Sequence, residues 1–200
     1  MIDVIITDLG QVLLPFDVEP VWAAIAASCP ECAHVLGVFH RIYSEADLGR
    51  GRTEPEEFHR RLVDAMGMRL SFDDFSRAWS DMFREDEATI GLIADAPVRE
   101  RHMLSNTNAI HWKWILKRHG AMLRKFDRLW VSHELGLEKP DPAIFRRVID
   151  ATRRRPEEHL YIDDLAENVE AARALGMAGI VHTDAEALAR EFVRLGLNRE

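Results

Sequence analysis

The sequence predicts an α/β protein, a Rossmann-like parallel sheet with a helical segment inserted after the first strand. Three observations carry this reading. Residues 2–7 are nearly all apolar or β-branched, the pattern of a strand buried on both faces. Residues 18–93 contain several helical windows and no convincing strand. After Pro97, short apolar runs alternate with amphipathic helices to the C-terminus. That order of strand, helix and strand makes a parallel sheet with right-handed crossovers.

The helical windows of the insert are expected at 21–27, 33–48, 54–66 and 72–83, the last running towards 87–94. Two starts are signposted by Thr53-Glu54-Pro55-Glu56 and Ser71-Phe72-Asp73-Asp74, where a hydroxyl can cap the helix and an acid three residues on can return the bond. Later strands are expected at 101–105, 128–132, 159–163 and 179–182, with helices between them at 109–119, 142–151 and 166–175. A final helix follows Thr183-Asp184-Ala185-Glu186, a further capping box. The organisation is therefore a core of residues 1–16 and 95–200 interrupted by a helical insert over 17–94.

Composition narrows the partners. Of 200 residues, 47% are hydrophobic and 30% charged, which supports a folded interior and excludes the low-hydrophobicity corner of disorder. Twenty-six basic against 34 acidic side chains give a net charge of −8, which argues against nonspecific binding to nucleic acid or an anionic membrane. The first residues lack a basic leader and carry Asp3 and Asp8 within the apolar run, and no apolar stretch approaches the ~18 residues of a membrane span. A cytoplasmic protein is expected. Cys29 and Cys32 lack both the strand-to-helix context of a redox pair and the second half of a zinc site, so they read as two ordinary thiols. Arg153-Arg154-Arg155 falls at a helix C-terminus, where cations suit the dipole. The scattered Trp22, Trp79, Trp112, Trp114 and Trp130 read as core or seam residues.

In an open parallel sheet, ligands bind beyond the carboxyl ends of the strands, so the polar residue ending each apolar run is a site candidate. Those residues are Asp8, Ser105, Ser132 and the pair Asp163-Asp164, with Lys139 in a loop that reaches the same edge. Three converging carboxylates would raise one another's pKa and repel an anion. A divalent cation removes both problems, and an all-oxygen ligand set suits Mg²⁺. Lysine, a hydroxyl and backbone N–H groups complete a cradle for a tetrahedral dianion.

Four runs carry a resemblance that covers the whole chain. Asp8-Leu9-Gly10-Gln11-Val12-Leu13, Leu104-Ser105-Asn106-Thr107-Asn108, Gly136-Leu137-Glu138-Lys139-Pro140-Asp141-Pro142 and Tyr161-Ile162-Asp163-Asp164, with Asn168 four on, resemble the four ordered motifs of the haloacid dehalogenase superfamily. The insert resembles that superfamily's C1 cap. The resemblance implies a phosphatase working through an aspartyl-phosphate on Asp8, with Mg²⁺ held by Asp8, the Gly10 carbonyl and Asp164, and Asp163 assisting through water. It further implies that Ser105 and the Asn106 amide bind the phosphoryl oxygens and that Lys139 neutralises nucleophile and phosphate together. A cis Lys139–Pro140 bond is common in the superfamily.

One position departs from the usual pattern. A second Asp normally stands two residues after the nucleophile as general acid and base, and here that position is Gly10. General acid–base help is worth ~10²–10⁴-fold, so a slower enzyme or a substitute group is expected. Asp17 and His111 are the candidate substitutes, against helix capping for the first and surface packing for the second. Gly10 also opens two alternatives: a metal-independent 2-haloacid dehalogenase, and a degenerate member that binds a phosphorylated ligand or a partner without turnover. The acidic pair Asp163-Asp164 speaks against the dehalogenase. The first motif is similar to a bacterial branch reading Asp-Leu-Gly that includes an α-D-glucose-1-phosphate phosphatase, which tilts the substrate towards a sugar phosphate. His40, Arg41, Tyr43, Arg50 and Arg52 of the insert are candidates for the mouth of the site, with ordinary helix surface the favoured reading.

Overall fold

The structure, a computed structural model, describes residues 1–198. The chain opens with β1 (Val4–Thr7) and leaves the sheet for four helices, α1 (Glu19–Ala27), α2 (Val35–Ala46), α3 (Pro55–Met66) and α4 (Phe72–Ser80). It returns through α5 (Glu87–Asp95), β2 (Glu100–Ser105), α6 (Ala109–Leu123), β3 (Arg128–Val131) and the single turn α7 (Ser132–Leu135). The rest is α8 (Pro142–Thr152), β4 (His159–Asp163), α9 (Ala166–Arg173), β5 (Ala178–Val181) and α10 (Ala185–Leu195). No helix among the described residues is long and apolar enough to cross a membrane.

The five strands form one sheet in the order β3-β2-β1-β4-β5, with every pairing parallel. The α/β Rossmann-like core expected from the alternation is thus the one observed. The chain builds outward from β1 through β2 to β3, then crosses to the other side of β1 for β4 and β5. The crevice left by that reversal lies at the carboxyl ends of β1 and β4. Register fixes what stands there. Thr7 pairs with Ile162, so Asp8 lies level with Asp163.

Both faces of the central strands are covered, which explains their unbroken apolar runs. Ile5, Met103, Leu160 and Ile162 point to one face and pack with Ile90 and Ile93 of α5, Ile115 of α6 and Phe192 of α10. Val4, Ile6, Leu104 and Tyr161 point to the other and pack with Phe145 and Val148 of α8 and Val169 of α9. The insert has its own core around Phe39, whose ring meets Trp22 at 4.9 Å, Trp79 at 5.2 Å and Phe58 at 5.6 Å, all near edge-on. α5 fills the sheet's core and not the insert's, although it falls within the 17–94 segment expected as the insert.

Local differences from the sequence expectations have simple causes. Thr53 does not cap α3; Glu54 occupies the cap position without a side-chain bond, and Pro55 opens the first turn with its φ already in the helical range. Ser71 caps α4 as expected, accepting from Asp74 N–H at 3.2 Å, but Asp74 bonds the Ser71 hydroxyl and not its backbone. At α10 the cap is Asp184, which accepts from Ala187 N–H at 2.7 Å, while Thr183 bonds to Asp184. The expected end of α6 at 119 is a kink, with His119 at φ −117°, and the helix runs on to Leu123. Ser132 starts α7 instead of ending β3, because the β2–β3 ladder stops at Ser105 and Val131. Two of the three clustered arginines are paired internally: Arg154 bonds Asp3 at 2.7 Å and Arg155 pairs with Glu157 and Glu158.

Because Phe39 sits at the centre of the insert's aromatic cluster and is fully buried, Phe39→Ala is expected to cost about 3–5 kcal/mol. Urea unfolding of the variant against the parent measures it.

Candidate active site

Four connections meet at the carboxyl edge of the sheet. Asp8 follows β1 directly and donates its backbone N–H to Ile162 O at 2.8 Å, which locks the turn out of β1 to β4. The next residues fold back tightly: Leu13 and Leu14 N–H groups both bond Leu9 O, and Gln11 adopts φ 55°. Ser105 ends β2, and Asp163 ends β4 with Asp164 next. Lys139 arrives on the loop after α7, followed by a cis peptide to Pro140.

Lys139 organises the cluster. Its Nζ lies 2.8 Å from Asp163 Oδ2 and 2.8 Å from Asp8 Oδ1, with the side chain almost wholly buried. Burial opposes the charge on Lys139, but Asp8 and Asp163 together more than offset this and hold its pKa above the ordinary lysine value. The Asn106 side chain positions it, accepting from Lys139 N–H at 2.8 Å and donating to Lys139 O at 2.8 Å. Both ends of that side-chain amide are therefore used on the Lys139 peptide.

The three carboxylates are not equivalent. Asp163 accepts from Leu165 N–H and Asn168 Nδ2 on one oxygen, each at 2.9 Å, and from Lys139 and the Tyr161 hydroxyl on the other. Burial would raise its pKa, but Lys139 and these hydrogen bonds hold it below the usual carboxylate value. Asp8 is pushed up to about 6 by burial, with Lys139 opposing and Asp163 adding to the rise. Its Oδ1 pairs with Lys139 by charge but accepts no well-aligned hydrogen bond and is buried from solvent. Asp164 is raised by burial and by its neighbour Asp163.

Asp8, Asp163 and Asp164 each offer an oxygen within 4.8 Å of the others. One ammonium against three carboxylates leaves a buried excess of negative charge. An all-oxygen set with that deficit fits a hard divalent cation such as Mg²⁺. Asp8 and Asp164 carry the unsatisfied charge, whereas the hydrogen bonds to Asp163 occupy it.

The insert closes over this edge through the 3-10 turn Leu48–Arg50. Ser132 Oγ accepts from Thr107 N–H at 2.9 Å, and its single proton lies between Gly49 O at 2.6 Å and Thr107 O at 2.8 Å. Arg50 bridges to Glu138 at 3.2 Å, next to Lys139. A Cβ at Gly49 would come within 2.0 Å of Glu138 Oε1, so a side chain there would displace the end of Glu138 from its pairing with Arg50. Among the insert candidates, His40 and Arg41 lie on exposed helix surface, and Arg41 pairs with Glu45. Tyr43 is half-buried and sits beside Asn108.

Neither expected substitute for the second Asp is in place as an acid. Asp17 is exposed and accepts from Glu19 N–H at 2.9 Å at the entry to α1. His111 is buried, not a surface residue, against Trp79 at 4.3 Å and Phe83 at 5.5 Å, with Nδ1 3.1 Å from Ser80 Oγ. Burial pushes its pKa down to about 3, so the ring is neutral at physiological pH. Tyr161 and the Ser132 bridge to Gly49 were not legible beforehand as site features. A tyrosine two residues before an acid shares its face of a strand, which is the one signal available for Tyr161.

Known proteins share sequence and fold with this chain. Residues 98–176 match the haloacid dehalogenase-like hydrolase family. An HAD-like family hydrolase from Porphyromonas gingivalis superposes over 100% of both chains with a TM-score of 0.84 at 25% identity. The chain is similar to the haloacid dehalogenase-like hydrolases, in sequence over those residues and in fold over its length. Its similarity to members of that family extends to a D-ribitol-5-phosphate phosphatase of Bacteroides thetaiotaomicron, 29% identical over 187 residues, 88% of this chain and 89% of that one. An HAD family enzyme from the same organism, in complex with magnesium and inorganic phosphate, covers 94% of this chain and 99% of its own at 25% identity, with a TM-score of 0.78.

Two outcomes follow from the site's electrostatics and clamp. Because the Asp8 pKa is raised from 3.8 to about 6, the folded chain retains a proton that the unfolded chain has lost in that window, and stability falls as pH rises through it. Metal-free Asp8→Asn is therefore expected to melt higher than the parent above pH ~6, with the gain shrinking towards pH ~4; melting curves across that range measure it. Ser132→Ala strands Thr107 N–H and the Gly49 carbonyl and is expected to cost about 1–3 kcal/mol in urea unfolding.

Proposed function

We propose that the chain is a Mg²⁺-dependent phosphatase for a small phosphorylated metabolite, acting through a phosphoryl group carried on Asp8. The observation that carries this is the buried cluster in which Lys139 Nζ stands 2.8 Å from Asp8 while Asp8, Asp163 and Asp164 share a cation-sized space. In this reading an Asp8 oxygen attacks phosphorus in line with the leaving oxygen. The Ser105 hydroxyl and the Asn106 N–H hold phosphoryl oxygens, and Lys139 neutralises both the carboxylate and the phosphate. Asp8, Asp164 and the Gly10 carbonyl would hold the cation, with Asp163 supporting it through water. When bound, the cation supplies charge neutralisation for a carboxylate approaching a dianion. Phosphoryl transfer is mostly positioning and charge neutralisation, which is what these residues offer.

A sugar phosphate is the favoured substrate. The relative named as a D-ribitol-5-phosphate phosphatase and the Asp-Leu-Gly first motif support it. The acidic balance of the chain supports a cytoplasmic location without a nucleic-acid or membrane partner. Gly10 favours a second reading, a member that binds a phosphorylated ligand without turnover.

Phosphate release from a panel of sugar phosphates is expected with Mg²⁺ and not with EDTA, and Asp8→Asn is expected to lower it by at least ~10³-fold. Release no greater than that of Asp8→Asn for every substrate would establish the binding-only reading. Metal-independent chloride release from 2-chloropropionate would instead make the chain a dehalogenase.

A further inference from the structure

We propose that Phe16 determines which phosphate esters this site cleaves: it fills the seat of the leaving-group acid with an aromatic ring and restricts the enzyme to esters of acidic hydroxyls. The inference rests on the phosphatase reading above and concerns the leaving-group side of the same site.

Gly10 is two residues from the Asp8 nucleophile, and its missing side chain would point at Phe16. A Cβ built there meets Phe16 Cε1 at 3.1 Å, with Cδ1 at 3.9 Å and Cζ at 4.0 Å. The ring therefore crowds that space with hydrocarbon, and a side chain there would need it to give by a few tenths of an ångström. Several contacts hold the ring in place. Gln11 Nε2 donates to Phe16 O at 3.0 Å, Phe16 bridges to Phe83 along the backbone, and the two rings meet edge-on at 5.6 Å. Phe83 in turn meets His111 at 5.5 Å, so the aromatic surface continues from the Gly10 turn to the base of the insert. Phe16 also walls an open groove of about 450 Å³ with Pro20 and Met82, flanked by Asp17, Asp81 and Arg84. A ligand can thus reach the ring from solvent.

Among the described residues, neither Asp17 nor His111 replaces the absent carboxyl as a proton donor on this side. Asp17 is exposed and engaged with Glu19 N–H, and His111 is neutral at physiological pH and hydrogen-bonded to Ser80. The consequence is chemical. When Asp8 forms its bond to phosphorus, the bond from phosphorus to the leaving oxygen breaks and its electron pair stays on that oxygen. Without an acid at hand the group departs as the anion and takes its proton from water afterwards. Water then cleaves the phosphoryl-Asp8 bond, releasing inorganic phosphate. The first step is far easier for a phenol-type hydroxyl with a pKa near ~10 than for an alkyl hydroxyl close to the ~16 of water. The Phe16 face suits a flat or apolar leaving group, by stacking and by excluding water. The substrate class is a phosphate ester of an acidic hydroxyl, with aryl phosphates its simplest members and, among the sugar phosphates favoured above, those esterified at the more acidic anomeric hydroxyl and not at a primary alcohol.

The test is a series of substrates run with Mg²⁺ on the full chain: 4-nitrophenyl phosphate, phenyl phosphate and ribitol 5-phosphate, with the parent, Phe16→Ala and Gly10→Asp/Phe16→Ala. In the parent, kcat/KM is expected to fall steeply with leaving-group pKa, and ribitol 5-phosphate to lie ~10²–10⁴-fold below phenyl phosphate. Phe16→Ala is expected to raise KM for phenyl phosphate several-fold and to leave KM for ribitol 5-phosphate unchanged. The double variant, with room for the new carboxyl, is expected to gain on ribitol 5-phosphate more than on 4-nitrophenyl phosphate. Hydrolysis of ribitol 5-phosphate within tenfold of phenyl phosphate by the parent, or equal KM changes for both in Phe16→Ala, would overturn the role of Phe16 and leave the phosphatase reading standing. Release from none of the three above the Asp8→Asn background would remove the phosphatase reading and this one with it. The parent series and the single variant decide the matter even where the double variant does not fold.

Discussion

A buried ammonium between two carboxylates is the constraint around which the catalytic edge is built. Taking Lys139 out of water is costly unless its charge is met at close range, and Asp8 and Asp163 meet it at 2.8 Å each. Holding that geometry requires the loop to be gripped from several sides. Asn106 clamps the Lys139 peptide in both directions, and the Asp163 carboxylate is fixed by Tyr161, Asn168 and Leu165 N–H. The sheet supplies the rest by setting Asp8 level with Asp163 on adjacent strands. Charge then decides the site's chemistry. One lysine cannot neutralise three acids, and because Asp163 is saturated with donors, the deficit falls on Asp8 and Asp164. That is the distribution a reacting carboxylate beside a cation site needs.

The insert is joined to this edge by few but directional contacts. Ser132 ties the Gly49 turn to the loop carrying Ser105, Asn106 and Thr107, so the position of the insert and the position of that loop are linked through one hydroxyl. The Arg50–Glu138 pair is partly exposed, and such pairs contribute orientation more than stability. On the other side, α4 rests on α6 where His111 packs against Trp79. Burying that imidazole keeps it neutral and makes it part of the seam instead of an acid.

The turn after Asp8 illustrates how composition and geometry differ as sources of information. From the sequence, Gly10 reads as a missing acid with an empty seat. In three dimensions the seat is occupied, because the chain folds back over residues 9–14 and returns Phe16 to within 3.1 Å of where a Cβ would be. A residue six positions away thus decides what the glycine means.

Much of this protein is written in local patterns. Unbroken apolar runs and period-3.6 patterning fix the order of strands and helices, and the polar residue ending each strand names Asp8, Ser105, Asp163 and Asp164, because in a parallel sheet those ends share an edge. Lys139 is legible through its motif. Local pattern carries less at the caps of α3 and α10, where neighbouring hydrogen-bonding groups compete for the same role, and at α5, whose amphipathic face does not say which of two cores it fills. Only the tertiary structure divides the three carboxylates into one saturated and two under-neutralised, commits the Asn106 side chain to Lys139, buries His111 and sets Phe16 beside Gly10. Each of these depends on which side chains approach from distant parts of the chain, and that is decided by packing, not by sequence spacing.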